Sequence, residues 1–326
     1  MNFIVIPVYN SDKTLFNCVS SIPQRNDVQI VISYDKSSDD SWKIIETILS
    51  QRSDIYVVKC CKHTAGATRN VALKYIYGKK LDANDSILFL DSDDYFDEKI
   101  NKILSHKNTS DLSIYAHNTQ RKNFNEYKIK RSELIERSIG ARNSNFMGTT
   151  YRFNSVWGKV FSATTLKRNK ILFDENIKIA EDLIFLLEFV QYINVVKIIP
   201  CNMYFYHKNF NSLTHEFHDD FLQNDMKVQE KCMNLVDSKY RTLFILKGIM
   251  NIFGLQVFSM KSTYNFHDKK KILNIIKKQS IYKYTLIDIF KNVLSLKSSQ
   301  IIMLILFKIR LYRLLEIFYL IKNKVK

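Results

Sequence analysis

Asp82, Asp85, Asp91, Asp93, Asp94, Asp97 and Glu98 crowd into a short stretch of a chain whose net charge is +17. Like charges packed this closely cost free energy unless solvent or a cation relieves them. Asp91 and Asp93 follow an apolar run and are two positions apart, so a turn in the backbone aims both carboxylates at one ligand. Hard carboxylate oxygens of this kind suit Mg²⁺ or Mn²⁺. Taken alone, Asp91-Ser92-Asp93 also reads as a solvated acidic turn that caps a helix. Four further groups stand beside it. Pro7-Val8-Tyr9-Asn10 and Asp35 each close an apolar run, Arg69-Asn70 opens a helical stretch, and Ala180-Glu181-Asp182-Leu183 opens another.

The elements that must position these residues are legible as alternating periods. Strands are expected at Asn2–Ile6, Val28–Ile32, Ile55–Lys59, Ser86–Leu90 and Leu112–Ala116. Between them, Leu15, Phe16, Val19 and Ile22 share one helical face, as do Ile44, Ile45, Ile48 and Leu49 after the cap signal Asp39-Asp40-Ser41. A βαβ series implies an α/β domain, and ligands of open sheets sit beyond the carboxyl ends of the strands. Beyond His215 the strand signals fade into Ile-, Leu-, Phe- and Lys-rich segments, a helical second region, with Asn209–Glu216 as the expected linker.

In this order and spacing the motifs resemble the family 2 glycosyltransferases of the GT-A fold. Val156-Trp157-Gly158-Lys159-Val160-Phe161, followed by Phe173-Asp174-Glu175 and the Glu181-Asp182 pair, is similar to the subset that builds bacterial surface polysaccharides. The resemblance covers residues 1–212 and implies a nucleotide-sugar-binding α/β domain there; it does not extend over 213–326, which the residue pattern alone marks as a helical, basic region. It implies that Pro7, Tyr9 and Asp35 hold the uracil and ribose of a UDP-sugar, with Arg69 approaching the nucleotide and Asp91 and Ser92 lining its ribose and metal water. Asp93 then ligates Mn²⁺ or Mg²⁺ at the diphosphate, and Asp182 is the general base for an acceptor hydroxyl. A divalent ion offsets charge developing on a nucleotide diphosphate, and a carboxylate on the opposite side activates the attacking oxygen, so one displacement inverts the anomeric centre. His207 is a candidate to complete the metal shell, Glu181 to orient Asp182 or bind acceptor, and Trp157 to stack on a sugar, although an aromatic flanked by Val156 and Phe161 equally suits a core. Tyr34 and Thr64 depart from the family pattern, which has an acid and a glycine at those places.

Composition narrows the alternatives. The chain of 326 residues is 46% apolar and 25% charged, and its seven glycines supply neither a G-x-G-x-x-G turn nor a Walker A loop. Dehydrogenases of the Rossmann type, protein kinases and P-loop NTPases are excluded, and a sugar-nucleotide processing enzyme of the nucleotidyltransferase kind lacks its glycine-rich phosphate loop. Five cysteines without a C-x-x-C pair favour a reducing compartment, with Cys60 and Cys61 as buried apolar positions. The opening MNFIVIPVYN has no signal-peptide pattern, so a cytoplasmic location is expected. Residues 261–326 carry 15 Lys/Arg against 3 acids, net +12, leaving +5 for the rest. Their apolar stretch 301–321 is too interrupted to span a bilayer, which needs roughly 20 apolar residues. Its basic, apolar character suits peripheral contact with an anionic membrane, on the inner face if the acceptor is a lipid-linked glycan. A buried helix or a homodimer contact is the other use of such a segment. No nucleic-acid motif accompanies the charge. An inactive enzyme fold serving as a membrane- or nucleic-acid-binding module is the alternative from another class, and intact Asp93 and Asp182 argue against it.

Overall fold

The computed structural model describes residues 1–105, 110–119, 124–146, 148–207 and 217–324. The chain divides into two compact units, Met1–Ser138 with Asn143–Lys208, and Ile139–Arg142 with Asn209–Lys326. The linker expected at Asn209–Glu216, and with it the boundary at 212/213, falls outside the described residues.

The first unit alternates β1 (Asn2–Val8), α1 (Leu15–Ser20), β2 (Val28–Asp35), α2 (Ser41–Gln51), β3 (Ile55–Cys60), α3 (Ala65–Tyr77) and β4 (Ser86–Phe89). It continues through β5 (Tyr95–Phe96), α4 (Ile100–Ser105), β6 (Leu112–His117), β7 (Tyr127–Lys130) and α5 (Arg131–Ser138). The ribbon β8 (Asn145–Phe146) and β9 (Thr149–Thr150) follows, then β10 (Lys159–Ser162), α6 (Ala163–Arg168), α7 (Glu181–Phe189) and β11 (Val195–Phe205). Among the described residues nine strands form one mixed sheet in the order β3-β2-β1-β4-β10-β6-β11-β5, with β7 also on β11. The apolar runs of β1, β2 and β4 are buried on both faces, as strands of a parallel sheet covered by helices must be. All five strands expected from the sequence form. The series is not simply βαβ throughout, because β10 inserts antiparallel between β4 and β6. Sequence periodicity sees local strands and not the long-range partner that separates them.

Parallel register fixes the working edge. Val5 pairs with Val31 and with Phe89, and the Leu90 N–H donates to the Val5 carbonyl at 3.0 Å, so β1, β2 and β4 finish side by side. Asp35, Asp91 and the loop after Val8 therefore share one rim. The cap signal before α2 is used differently from its usual form. Asp39 rather than Asp40 takes the helix N–H, from Ser41 at 3.0 Å, and its other oxygen accepts from the Asp12 N–H at 3.0 Å.

The second unit is helical, with α8 (Phe221–Leu235), α9 (Ser238–Ile252), α10 (Phe266–Lys278), α11 (Leu286–Lys291), α12 (Ser298–Lys308) and α13 (Tyr312–Lys324). Its core gathers Leu246, Ile249, Phe253, Ile276, Leu304, Phe307 and Leu315. The apolar stretch 301–321 is not one continuous helix. Arg310 takes a left-handed φ of 64° between α12 and α13, and each helix buries one side: Met303, Leu304 and Phe307 on the first, Tyr312, Leu315 and Tyr319 on the second. Among the described residues no helix is long and apolar enough to cross a membrane.

Candidate active site

Short polar bonds lace the loops at the carboxyl edge together. Asn10 exchanges bonds with the loop after β2, its amide N–H donating to Ser37 Oγ at 3.0 Å and its side-chain oxygen accepting from the Ser38 N–H at 2.9 Å. Ser11 joins the ends of β1 and β4 through its hydroxyl contact with Ser92 at 2.7 Å. Asp35, 1% exposed, accepts from the Lys62 N–H at 3.0 Å, the His63 N–H at 2.6 Å and the Thr68 hydroxyl at 3.1 Å. It therefore shapes the loop that leads into α3. Tyr9, 54% exposed, stands on the rim with its ring edge-to-face to His63 at 6.5 Å. Of the two departures from the family pattern, Thr64 is the N-cap of α3 and accepts from the Ala67 N–H, while Tyr34 packs on Trp42 at 5.1 Å.

Arg69 is the hub of the site. It lies on α3, 4% exposed, and donates to Asp91 at 2.7 Å, Asp182 at 3.2 Å and Glu181 at 3.3 Å. Burial works against its charge, yet Asp182, Asp91 and Glu181 together hold the guanidinium well above its ordinary value. Arg69 thereby bridges the acidic strand end and the acidic helix start. The neighbouring Asn70 sets the spacing. Its side chain donates to the Phe173 carbonyl at 2.9 Å and accepts from the Phe173 N–H at 2.8 Å, holding the segment that feeds α7. Gly66 permits the approach, since a Cβ there would meet Phe173 Cβ at 3.1 Å and Glu181 Cγ at 3.2 Å. Ala180 then turns the chain with φ 73°, and α7 opens on Glu181 and Asp182.

Asp182 uses its second oxygen to accept from the Val156 N–H at 3.1 Å, which ties the Val156–Phe161 motif to the site. Burial raises the proton affinity of Asp182 above the ordinary carboxylate range, with Arg69 pulling it down and Asp91 pushing it up. Burial and Asp182 raise Glu181 likewise, against the pull of Arg69. Two adjacent carboxyls at a helix start thus hold their protons more tightly than free carboxyls do.

Asp91 and Asp93 remain partly exposed, whereas Asp94 turns inward. Tyr204 donates to Asp94 at 2.5 Å and accepts from the Asp91 N–H at 3.2 Å. The His207 N–H donates to the other Asp94 oxygen at 2.7 Å, which brings the exposed His207 beside the acidic turn. Burial and Asp91 push Asp94 up to about 8 despite these bonds. Trp157 is a core residue, 7% exposed and stacked on Tyr204 at 4.6 Å and Tyr206 at 5.5 Å, rather than an open platform. Among the described residues no three His, Cys, Asp or Glu side chains close a metal cage. Two carboxylates at a strand end are nonetheless the donor set Mg²⁺ uses when substrate phosphates and waters complete its shell, so Asp91 and Asp93 fit such an ion.

Sequence reasoning gave no role to Asp94, Tyr204 or Lys159. Lys159 is wholly buried, donates to the Arg152 carbonyl at 2.6 Å, and burial brings its pKa down to about 7 against the attraction of Asp182. Its signal is present, a lone cation inside the apolar run Val156–Phe161. Tyr204 carries no such mark, because a tyrosine in an apolar strand looks like core until its partner is known.

Comparison with known proteins places this geometry. A poly(ribitol-phosphate) beta-glucosyltransferase of Bacillus spizizenii is 31% identical over 193 residues, covering 56% of this chain and 28% of the relative. The glycosyltransferase EpsJ of Bacillus subtilis is 24% identical over 219 residues, 65% of this chain and 62% of that protein. The chain thus spans less than two thirds of the length of either relative. The crystal structure of Staphylococcus aureus TarS 1–349 in complex with UDP-GlcNAc matches with a TM-score of 0.66 at 18% identity, over 98% of this chain and 91% of that one, and so shares its fold. The model of the family described as glycosyl transferase family 2 matches residues 3–172. That match extends over more than half of the sequence and takes in Asp35, Arg69, Asp91 and Asp93, and the chain belongs to glycosyl transferase family 2.

Proposed function

We propose that this protein is an inverting, divalent-metal-dependent glycosyltransferase that moves a sugar from a UDP-sugar to a hydroxyl of a bacterial surface glycan. The observation that carries the reading is the Arg69 bridge, which sets a partly buried carboxyl pair, Glu181 and Asp182, against the strand end that bears Asp91 and Asp93. The name of the Bacillus spizizenii relative supports a polyol-phosphate or related surface glycan as acceptor, and the UDP-GlcNAc in the TarS complex supports a UDP donor.

In this reading the loops of Pro7, Tyr9 and Asp35 wall the uridine, and Asp91 and Ser92 face the ribose. Asp93 would hold the divalent ion, with His207 beside the same acidic turn. When bound, the ion neutralises charge on the departing diphosphate. Asp182 takes the acceptor hydroxyl proton as the oxygen bonds to the anomeric carbon. The bond from that carbon to the diphosphate oxygen breaks, and its electron pair leaves with UDP. A single displacement from the face opposite the leaving group inverts the centre. Glu181 keeps Arg69 engaged and so keeps Asp182 in place. The test is release of nucleotide from a panel of nucleotide sugars with and without Mn²⁺. Release of UDP from one of them supports the reading, and release of nothing from any of them, with or without acceptor polymer, defeats it.

A further inference from the structure

Helix α13 is apolar on both sides. Tyr312, Leu315 and Tyr319 face the core of the second unit, and the same side carries Glu316, which is paired with Lys269 at 2.9 Å. The outward side, which in a surface helix is normally polar, instead presents Leu314, Ile317, Leu320 and Ile321, each at least half exposed, with Leu311 just before the helix. The segment that starts at α11 repeats the pattern. Ile289 is buried, while Leu286, Ile287 and Phe290 of α11 and Val293 and Leu294 just after it are exposed, Leu294 fully. Two unpartnered apolar faces in one small helical unit exceed the scattered apolar exposure of ordinary surfaces.

Charge decides what covers them. Between residues 283 and 324 the sequence has eight Lys/Arg and two acids. Lys283, Lys291, Lys297, Arg310 and Arg313 are exposed, whereas both acids are spent internally, Asp288 capping α11 through Thr285 and Glu316 held by Lys269 and Arg313. A second copy of the same surface would set cations against cations, which opposes a dimer here. An anionic bilayer matches both properties, since it takes apolar side chains below its headgroups and basic ones at them. We propose that the outward faces of α11 and α13 dock this protein on an anionic lipid surface, independently of the reaction it catalyses.

The experiment is sedimentation of the chain of residues 1–326 with vesicles of phosphatidylcholine alone or with roughly one-third phosphatidylglycerol, the basic part of the attraction being about 1 kcal/mol per exposed Lys or Arg. Binding is expected on the anionic vesicles only and should weaken as salt rises. Leu314→Gln/Ile317→Gln/Ile321→Gln should cut the partition coefficient at least about tenfold while far-UV circular dichroism and melting stay unchanged, because the three side chains are exposed. Phe290→Gln/Leu294→Gln supplies an independent second variant. Failure of the intact protein to bind anionic vesicles overturns the proposal. So does concentration-dependent self-association that the same substitutions abolish, which would give the faces to a second copy.

Discussion

Replacing Arg69 with Met tests whether the guanidinium is a structural counter-ion or a nucleotide contact. The side chain is buried and serves three carboxylates at 2.7, 3.2 and 3.3 Å, so its loss leaves Asp91, Glu181 and Asp182 facing one another without a cation. Breaking a buried ion pair by removing one partner typically costs about 3–5 kcal/mol. The carboxylates are 25%, 14% and 19% exposed, so water relieves part of the repulsion and the lower end, about 3 kcal/mol, is expected. The loss should depend on pH. Burial already raises Glu181 and Asp182, and without Arg69 they rise further above their unfolded values. Groups with raised folded values favour the folded state when protonated, so the deficit should grow as pH rises through neutrality and shrink as pH falls. Both tryptophans, Trp42 and Trp157, lie in the first unit, so urea unfolding followed by tryptophan fluorescence reads that unit alone. Arg69→Met/Asp91→Asn should recover part of the loss. A deficit under about 1 kcal/mol near neutral pH, or one that grows as pH falls, would refute the counter-ion role. An intact fold with abolished UDP binding would restore Arg69 to the nucleotide.

Three further outcomes follow from the same geometry. Asp182→Asn should lower turnover roughly 10²–10⁴-fold with UDP affinity nearly unchanged, read by single-turnover kinetics and calorimetry; equal loss of UDP binding would move the residue to the donor side. Chelation, or Asp93→Ala, should abolish transfer without altering the melting curve, and full activity in excess EDTA would sink the metal assignment. Asp225 is buried beneath Tyr282 and Gln229, both donating to the same oxygen, and burial lifts it from 3.8 to about 6. Its charge opposes folding above that value and ceases to do so as pH falls to the unfolded value, so Asp225→Asn should stabilise the protein by up to about 3 kcal/mol above neutrality. The gain should vanish below about pH 4, and a gain independent of pH would show that packing rather than charge is responsible.

The strands and the rim were legible because a two-sided buried parallel sheet writes its apolar runs directly into the sequence. Asn2–Val8, Val28–Asp35 and Ser86–Phe89 end at one rim, and the motifs after them mark that edge. What stayed hidden depends on side chains meeting across long sequence separations. Arg69 and Asp182 are 113 positions apart, so an arginine that opens a helix gives no hint of the acids it will hold. Trp157 likewise presents the same neighbours whether it stacks on a sugar or on Tyr204. The left-handed Arg310 that splits the last apolar stretch also has no local signal, for neither glycine nor proline marks it.

The Arg69 bridge also sets which parts of this enzyme can change independently. Asp91, Arg69 and the Glu181–Asp182 pair come from three distant segments, yet a substitution in one alters the charge felt by the others. Such positions drift only together, and single replacements there will show strong epistasis. Tyr9, exposed on the rim and touching His63 only ring edge to face, lies outside that constraint. If the donor binds as proposed, a new donor preference is expected to arise, in nature or by selection in the laboratory, through the outer loop at Tyr9 and His63 while the bridge beneath stays fixed.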